Sequence, residues 1–228
     1  MDIITLENVS YRYSRQGKMV LAGVDAAFRS GALTCITGRS GAGKTTLLSL
    51  LAGLDTATGG RVLFKGEDLA EMDRDRYRAR QIGTVFQGYN LLNRASAVEN
   101  IVLSMQISGV KDRRKTESAL ALLERMGIDE TTARRQVSNL SGGEQQRVGI
   151  ARALAHDPDT IIADEPTGNL DGETRGRIMD ILVSLAHKEG KCVIVVTHST
   201  TVAKRADRVW NLNRGALKPA KAPSQPRG

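Results

Sequence analysis

Between residues 33 and 52 the chain carries an arrangement that few folds accommodate. The apolar run Leu33 to Thr37 passes directly into Gly38-Arg39-Ser40-Gly41-Ala42-Gly43-Lys44-Thr45-Thr46, which meets the whole G-x-x-x-x-G-K-[ST] pattern, and the apolar stretch Leu47 to Ala52 follows. A strand, a glycine-rich loop and a helix are therefore expected in that order. Glycines let the backbone turn tightly enough for successive N–H groups, together with the N-terminus of the next helix, to converge on phosphates. Gly38, Ser40, Gly41 and Gly43 supply that loop, Lys44 is expected to reach β- and γ-phosphates and Thr45 to ligate Mg²⁺ through its hydroxyl, with Thr46, at the start of the helix that follows, counted among the nucleotide contacts. The implied ligand is a nucleoside triphosphate.

Downstream, the apolar run Thr160-Ile161-Ile162-Ala163 ends in Asp164-Glu165-Pro166, which looks like a Walker B strand. A carboxylate at the carboxyl end of a buried parallel strand can hold Mg²⁺, and the next one can orient or deprotonate an attacking water. Asp164 is the metal-side candidate and Glu165 the base. Alone, this segment reads equally well as an acidic turn that ends a strand; beside Gly38 to Thr45 the functional reading wins.

A third element, Leu140-Ser141-Gly142-Gly143-Glu144-Gln145-Gln146-Arg147, admits a structural account: Ser141 as N-cap and Glu144 at the third helical position make a capping box before the periodic residues Val148, Ile150, Ala151 and Leu154. That account is incomplete, because a cap requires neither two consecutive glycines nor the Gln-Gln-Arg after it. Bare amides at a helix N-terminus are what an anion needs.

This run resembles the signature motif of ABC transporter nucleotide-binding subunits, and the remaining landmarks fall in that family's order. Gln87 looks like the Q-loop glutamine that senses Mg²⁺ and the attacking water, Gly168-Asn169-Leu170-Asp171 like the D-loop, and His198 like the switch histidine. Tyr13 is similar to the aromatic that stacks on adenine; Tyr11, two residues away, would share its strand face. The resemblance covers Ile3 to about Leu217. It implies catalytic roles for Glu165, His198 and Gln87, ATP contacts from Tyr13, the phosphate loop, Ser141, Gly142, Gly143 and Asp171, Mg²⁺ contacts from Thr45, Gln87 and Asp164, and ATP with Mg²⁺ as cofactors.

Composition is compatible with such a subunit. The two cysteines, Cys35 and Cys192, each lie inside an apolar strand-like run and read as buried free thiols. The N-terminus lacks the basic start and apolar core of a signal peptide, and no apolar stretch approaches membrane-spanning length, so a transport path is expected on another polypeptide. A net charge of +8 raises the question of nucleic acid, but the basic residues alternate with acids, as in Glu71 to Arg76 and Lys111 to Lys115, and aromatics are too scarce for a base-stacking platform. No nucleic-acid partner is expected. A chromosome-maintenance ATPase of the same superfamily is excluded in turn, since no long coiled coil or zinc-bearing insertion separates Lys44 from Ser141.

The expected fold is an α/β P-loop cassette spanning residues 1–217, with a mixed core sheet, an antiparallel β edge and an inserted helical subdomain. Runs at about Ile4 to Tyr13, Val20 to Phe28 and Arg61 to Lys65 should form the antiparallel edge; Leu33 to Thr37, Ile82 to Gln87, Thr160 to Asp164 and Cys192 to Thr197 belong to the parallel sheet. Over about 88–140 the periodicity turns helical: Ser96-Ala97-Val98-Glu99 is a capping box, and a later helix through Leu120, Leu122, Leu123 and Met126 stops at Gly127. Residues 218–228 have linker composition and are expected to be a disordered basic tail.

With no internal repeat, the chain holds one cassette. In the family that means half of each active site, the loop around Lys44 facing the Ser141-Gly142-Gly143 signature of an opposed subunit. A homodimer is the economical expectation, a heterodimer with a related cassette the alternative, and a membrane permease the further partner, which implies a peripheral position on the cytoplasmic face of the membrane. Gly53-Leu54-Asp55, Val85 to Leu92 and Ala163 to Asp171 are similar to the branch of the LolD, MacB, FtsE and BceA type, which drives export, extraction of a lipoprotein, drug or peptide, or a regulatory output without transport. One departure is Ser199-Thr200 after His198, where an aspartate usually follows.

Overall fold

The computed structural model describes residues 1–168 and 170–220. Two sheets and a helical unit make up the fold. A four-stranded antiparallel sheet has the order β2-β1-β4-β5, built from β1 (Asp2–Tyr11), β2 (Leu21–Arg29), β4 (Gly59–Phe64) and β5 (Glu67–Asp68). A six-stranded sheet has the order β10-β9-β3-β8-β7-β6, from β3 (Ala32–Thr37), β6 (Ile82–Val85), β7 (Thr160–Asp164), β8 (Cys192–Val196), β9 (Arg208–Asn213) and β10 (Ala216–Ala220). All its pairings are parallel except β9 with β10. The strands β1, β2, β4 and β5 thus form a separate, wholly antiparallel sheet.

The parallel strands are apolar without alternation because both of their faces are covered. Every residue of β8 is buried, and so are the first four of β7. One apolar cluster joins the sheet to α3 (Ala97–Ile107), α4 (Lys115–Arg125), α6 (Gly142–Leu154) and α7 (Gly172–His187). A second lies between the two sheets and takes in α1 (Lys44–Leu51) and Tyr77 of α2 (Arg74–Arg80). Short helices α5 (Glu130–Ala133) and α8 (Thr200–Ala203) complete the set.

Register decides where the chemistry falls. Cys192 is paired with both Ala32 and Thr160, and Thr160 with Ile82, so the strands start level and their carboxyl ends form one edge. The loops carrying residues 38–43, 86–91, 165–168 and 197–199 leave from that edge, which is where ligands of open α/β sheets bind.

The helical unit begins at the Ser96 capping box, in which the Ser96 hydroxyl accepts the Glu99 N–H and the Glu99 carboxylate accepts the Ser96 N–H. Asn100, buried, exchanges hydrogen bonds with the backbone of Leu92 in both directions and fastens the loop after β6 to α3. α4 ends at Arg125, and Gly127 takes the left-handed conformation expected of a helix terminator.

Two expectations need correction. β1 ends at Tyr11, whose pairing with Leu21 is the last of the ladder, so Tyr13 lies past the strand and shares no strand face with Tyr11. Lys218, Pro219 and Ala220 are not tail but part of β10, paired with Asn211, Trp210 and Val209; the remainder of the expected tail lies outside the described residues.

Candidate nucleotide site

β3 hands its last residue, Thr37, to β9: the Thr37 hydroxyl donates to the Trp210 carbonyl at 3.1 Å and accepts from the Asn211 amide at 3.3 Å. The loop then turns over β9 so closely that a Cβ on Gly38 would lie 2.4 Å from the Leu212 carbonyl oxygen, an approach only glycine permits. Gly43, at φ 102°, opens α1 in the left-handed region without a side-chain cap, and the first turn holds no acid. Its amides are therefore left for an external acceptor, and no acid within that turn repels an anion. The Lys44 ammonium donates to the carbonyls of Gly38 at 2.9 Å and Arg39 at 3.1 Å, so it lies across the loop. Thr45 is exposed; Thr46 is buried, and its hydroxyl shares a hydrogen bond with that of Tyr13.

Asp164, half-buried at the end of β7, has its carboxyl pushed up first by burial and then by the charge of Glu165, with Lys44 acting in the opposite sense. Glu165 follows with φ 44°, a left-handed backbone that sends its side chain toward β8. One carboxylate oxygen accepts the His198 N–H at 2.9 Å and faces the imidazole Nδ1 at 2.6 Å; the other accepts the Thr197 hydroxyl at 2.8 Å. Gln87 leans on the turn after Glu165, its amide nitrogen 3.2 Å from where a Cβ on Gly168 would sit. Lys44, Asp164, Glu165, Gln87 and His198 thus gather at the carboxyl edge.

The signature segment is built separately. Ser141 caps α6, and the Glu144 carboxylate accepts from the Ser141 N–H at 2.7 Å and hydroxyl at 2.8 Å, contacts that hold it below the usual carboxylate range. Gly142 and Gly143 present their amides in the first turn, where the helix itself offers no acceptor. Among the described residues no hydrogen bond joins this segment to the phosphate loop. Its neighbours are Tyr89, whose hydroxyl would lie 2.9 Å from a Cβ on Gly142, and Thr174, whose methyl would lie 2.7 Å from a Cβ on Gly143. Asp171 caps α7 by accepting from the Thr174 N–H and hydroxyl, which lowers its pKa.

Three contributors were not singled out from the sequence. Thr197 counted only as the end of a strand, Tyr89 only as part of a loop, and Leu212 as neither; the one signal available for Tyr89 was the unused freedom of the facing Gly142.

A glycine loop, a Walker B carboxylate pair and a capped signature helix on one sheet define the class of ATP-hydrolysing cassettes. The chain belongs to the ABC transporter family, whose model, described as "ABC transporter", matches residues 21–168. It is similar to the uncharacterized ABC transporter ATP-binding protein YclH of Bacillus subtilis, with 42% identity over 95% of this chain and 96% of that one. It is 41% identical to the lipoprotein-releasing system ATP-binding protein LolD of Hyphomonas neptunium over 91% of this chain and 92% of the relative. Against the macrolide export ATP-binding/permease protein MacB of Syntrophobacter fumaroxidans the identity is 41% over 96% of this chain but 32% of that longer one. Among solved structures, the dimeric post-hydrolysis state of the cassette MJ0796, bound to ADP and Pi, superposes with a TM-score of 0.87 at 34% identity, covering 98% of this chain and all of that one. The LolD/MacB-type branch is thereby established, and with it an ATPase. No helix of the described residues is long and apolar enough to cross a membrane.

Proposed function

We propose that this chain binds and hydrolyses ATP as a homodimer on the cytoplasmic face of a membrane, and powers a separate permease that exports or extracts a drug, peptide or lipoprotein. The observation that carries the reading is the division of the site: loop, acids and His198 occupy the carboxyl edge of the sheet, while the signature amides stand apart at the start of α6. A triphosphate held by the loop on one side would have its other side free for a partner's Ser141, Gly142 and Gly143. The dimeric MJ0796 cassette supports that arrangement.

Within each half-site the residues divide the work. Lys44 and the amides of α1 neutralise the β- and γ-phosphates, Tyr13 receives the base, and Glu165 takes the proton of the attacking water. His198 touches the γ-phosphate, and Gln87, with the loop up to Arg94, couples the site to the permease. Mg²⁺ suits the donors present: Asp164 and Thr45 are hard oxygen ligands, and the described residues hold no cluster of three or more His, Cys, Asp or Glu that would cage a metal by themselves. Mg²⁺ is characteristically held by one or two protein oxygens plus substrate phosphates. When bound it would neutralise charge on the transferring phosphoryl group, and it would favour the ionised form of Asp164.

Mild-detergent purification of the tagged chain from membranes, followed by mass spectrometry, tests the assignment. The expected companion is an integral protein with few spans and a large extracytoplasmic domain. Recovery with a soluble protein or DNA alone would sink the transporter reading, and a many-helix importer permease would sink the exporter branch. Reconstituting the complex in vesicles with the Lys44→Ala chain as control then shows whether ATP moves a solute; a complex that only stimulates a partner enzyme would make the output regulatory.

A further inference from the structure

The two oxygens of the Glu165 carboxylate are held by groups of opposite character. His198, with 73% of its side chain exposed, makes both contacts to one oxygen, through its N–H and its Nδ1, and Thr197, 0% exposed, supplies the donor to the other. The donor sense of the second bond follows from chemistry: a carboxylate oxygen accepts, so the Thr197 hydroxyl donates to it, while a lone pair of the same hydroxyl accepts the Ser199 N–H at 3.0 Å. Its backbone is fixed as well, since the Thr197 N–H donates to the Ile36 carbonyl at 3.1 Å, while the Glu165 N–H donates to Val196 at 2.8 Å. A β-branched side chain that is fully enclosed has no other rotamer to enter. An exposed imidazole has several.

We propose that Thr197 is the fixed orienter of Glu165, a positioning residue that keeps the carboxylate aimed when His198 swings away to the γ-phosphate. The inference rests on the reading of Glu165 as the base. A carboxylate oxygen offers about two lone-pair sites. In the structure His198 fills both on one oxygen, and the oxygen bonded to Thr197 retains one, directed to neither residue. That site receives the proton of the attacking water. Without Thr197 a side chain on a left-handed backbone, released by His198, would sample other rotamers and lose its line on the water.

The test uses the full chain and three substitutions. Thr197→Val keeps shape and removes the donor; Thr197→Ser keeps the donor and loses a methyl. Valine is expected to lower kcat roughly tenfold to a hundredfold, less than loss of the base itself, while the Kd for ATP stays within about twofold, and serine is expected to restore kcat to within about threefold. In single-turnover assays on a Glu165→Gln background, Thr197→Val is expected to add nothing, because the effect acts through the carboxylate. Wild-type turnover in Thr197→Val, or an equal loss with and without Glu165, overturns the proposal while leaving Glu165 as the base. Wild-type turnover in Glu165→Gln overturns the base reading and the proposal together. Should valine prevent folding, Thr197→Ala provides the same comparison.

Discussion

The hydroxyls of Tyr13 and Thr46 lie 2.7 Å apart, which ties a ring that is 73% exposed to the first turn of the helix behind the phosphate loop. Tyr11 meets that ring edge to face, 5.2 Å between centroids, and its own hydroxyl is bound to Asp55. The Asp55 carboxylate raises the Tyr11 pKa to about 12, so the supporting ring stays neutral. The proposed base platform is thus an exposed aromatic held on two sides. Tyr13→Ala should weaken ATP by roughly 1–3 kcal/mol, the usual worth of one stacked base, and leave tripolyphosphate binding unchanged. Calorimetry with both ligands decides it; equal losses for the two would make Tyr13 a prop for Thr46 and nothing more.

Glu165→Gln should bind ATP and turn it over about 10²- to 10⁴-fold more slowly, because the amide keeps the shape of the carboxylate and loses its basicity. ATP is then expected to move the variant from monomer to dimer on gel filtration. Adding Ser141→Arg should abolish that shift by filling the space in which the facing nucleotide would lie. A Glu165→Gln protein that stays monomeric at high ATP and high protein concentration would count against the divided site.

For His198→Ala the expected result is a steep fall in turnover with ATP affinity largely kept. Its imidazole contacts Glu165 and solvent and lies outside the loop that grips the phosphates. Stopped-flow binding beside steady-state hydrolysis separates the two quantities. Normal turnover would reduce the histidine to a clasp on Glu165.

The motif-bearing loops were legible because their chemistry depends on local sequence: a left-handed Gly43 and a Ser141–Glu144 box each announce themselves within a few residues. What escaped depends on partners far along the chain. β10 contains Pro219, which reads against a strand, yet as the outermost strand of its sheet it has an edge where a missing N–H costs little. α2 is charged over most of its length, and its start, within Glu71 to Arg76, reads only as a mixed-charge solvated face; Tyr77, fully enclosed and bonded to the Leu51 carbonyl, anchors it as a helix. Thr197 gains its meaning only when parallel pairing sets β8 beside β7.

His156 gives the fold a pH dependence of predictable sign. Its Nε2 lies 3.2 Å from the Ile82 carbonyl and its Nδ1 is buried without a partner among the described residues, and burial pushes the ring below its ordinary 6.5. A depressed folded value means that the contribution to stability is complete above pH 6.5 and lost as pH falls through the folded pKa, by at most about 1.4 kcal/mol per pH unit. Melting temperatures measured from pH 8 down to 5 should fall less steeply in His156→Gln, which retains an amide donor for Ile82. Parallel curves would assign the slope to other groups.

The contact between Gly38 and Leu212 makes β9 the support of the glycine loop. A shortened chain cut just before Arg208 would keep every nucleotide motif, from Tyr13 to His198, yet the loop would lose the floor on which its first glycine rests and Thr37 its two hydrogen-bond partners. The minimal ATPase is therefore longer than the span of its motifs, and tags or fusions belong after Ala220, not against the last recognisable motif.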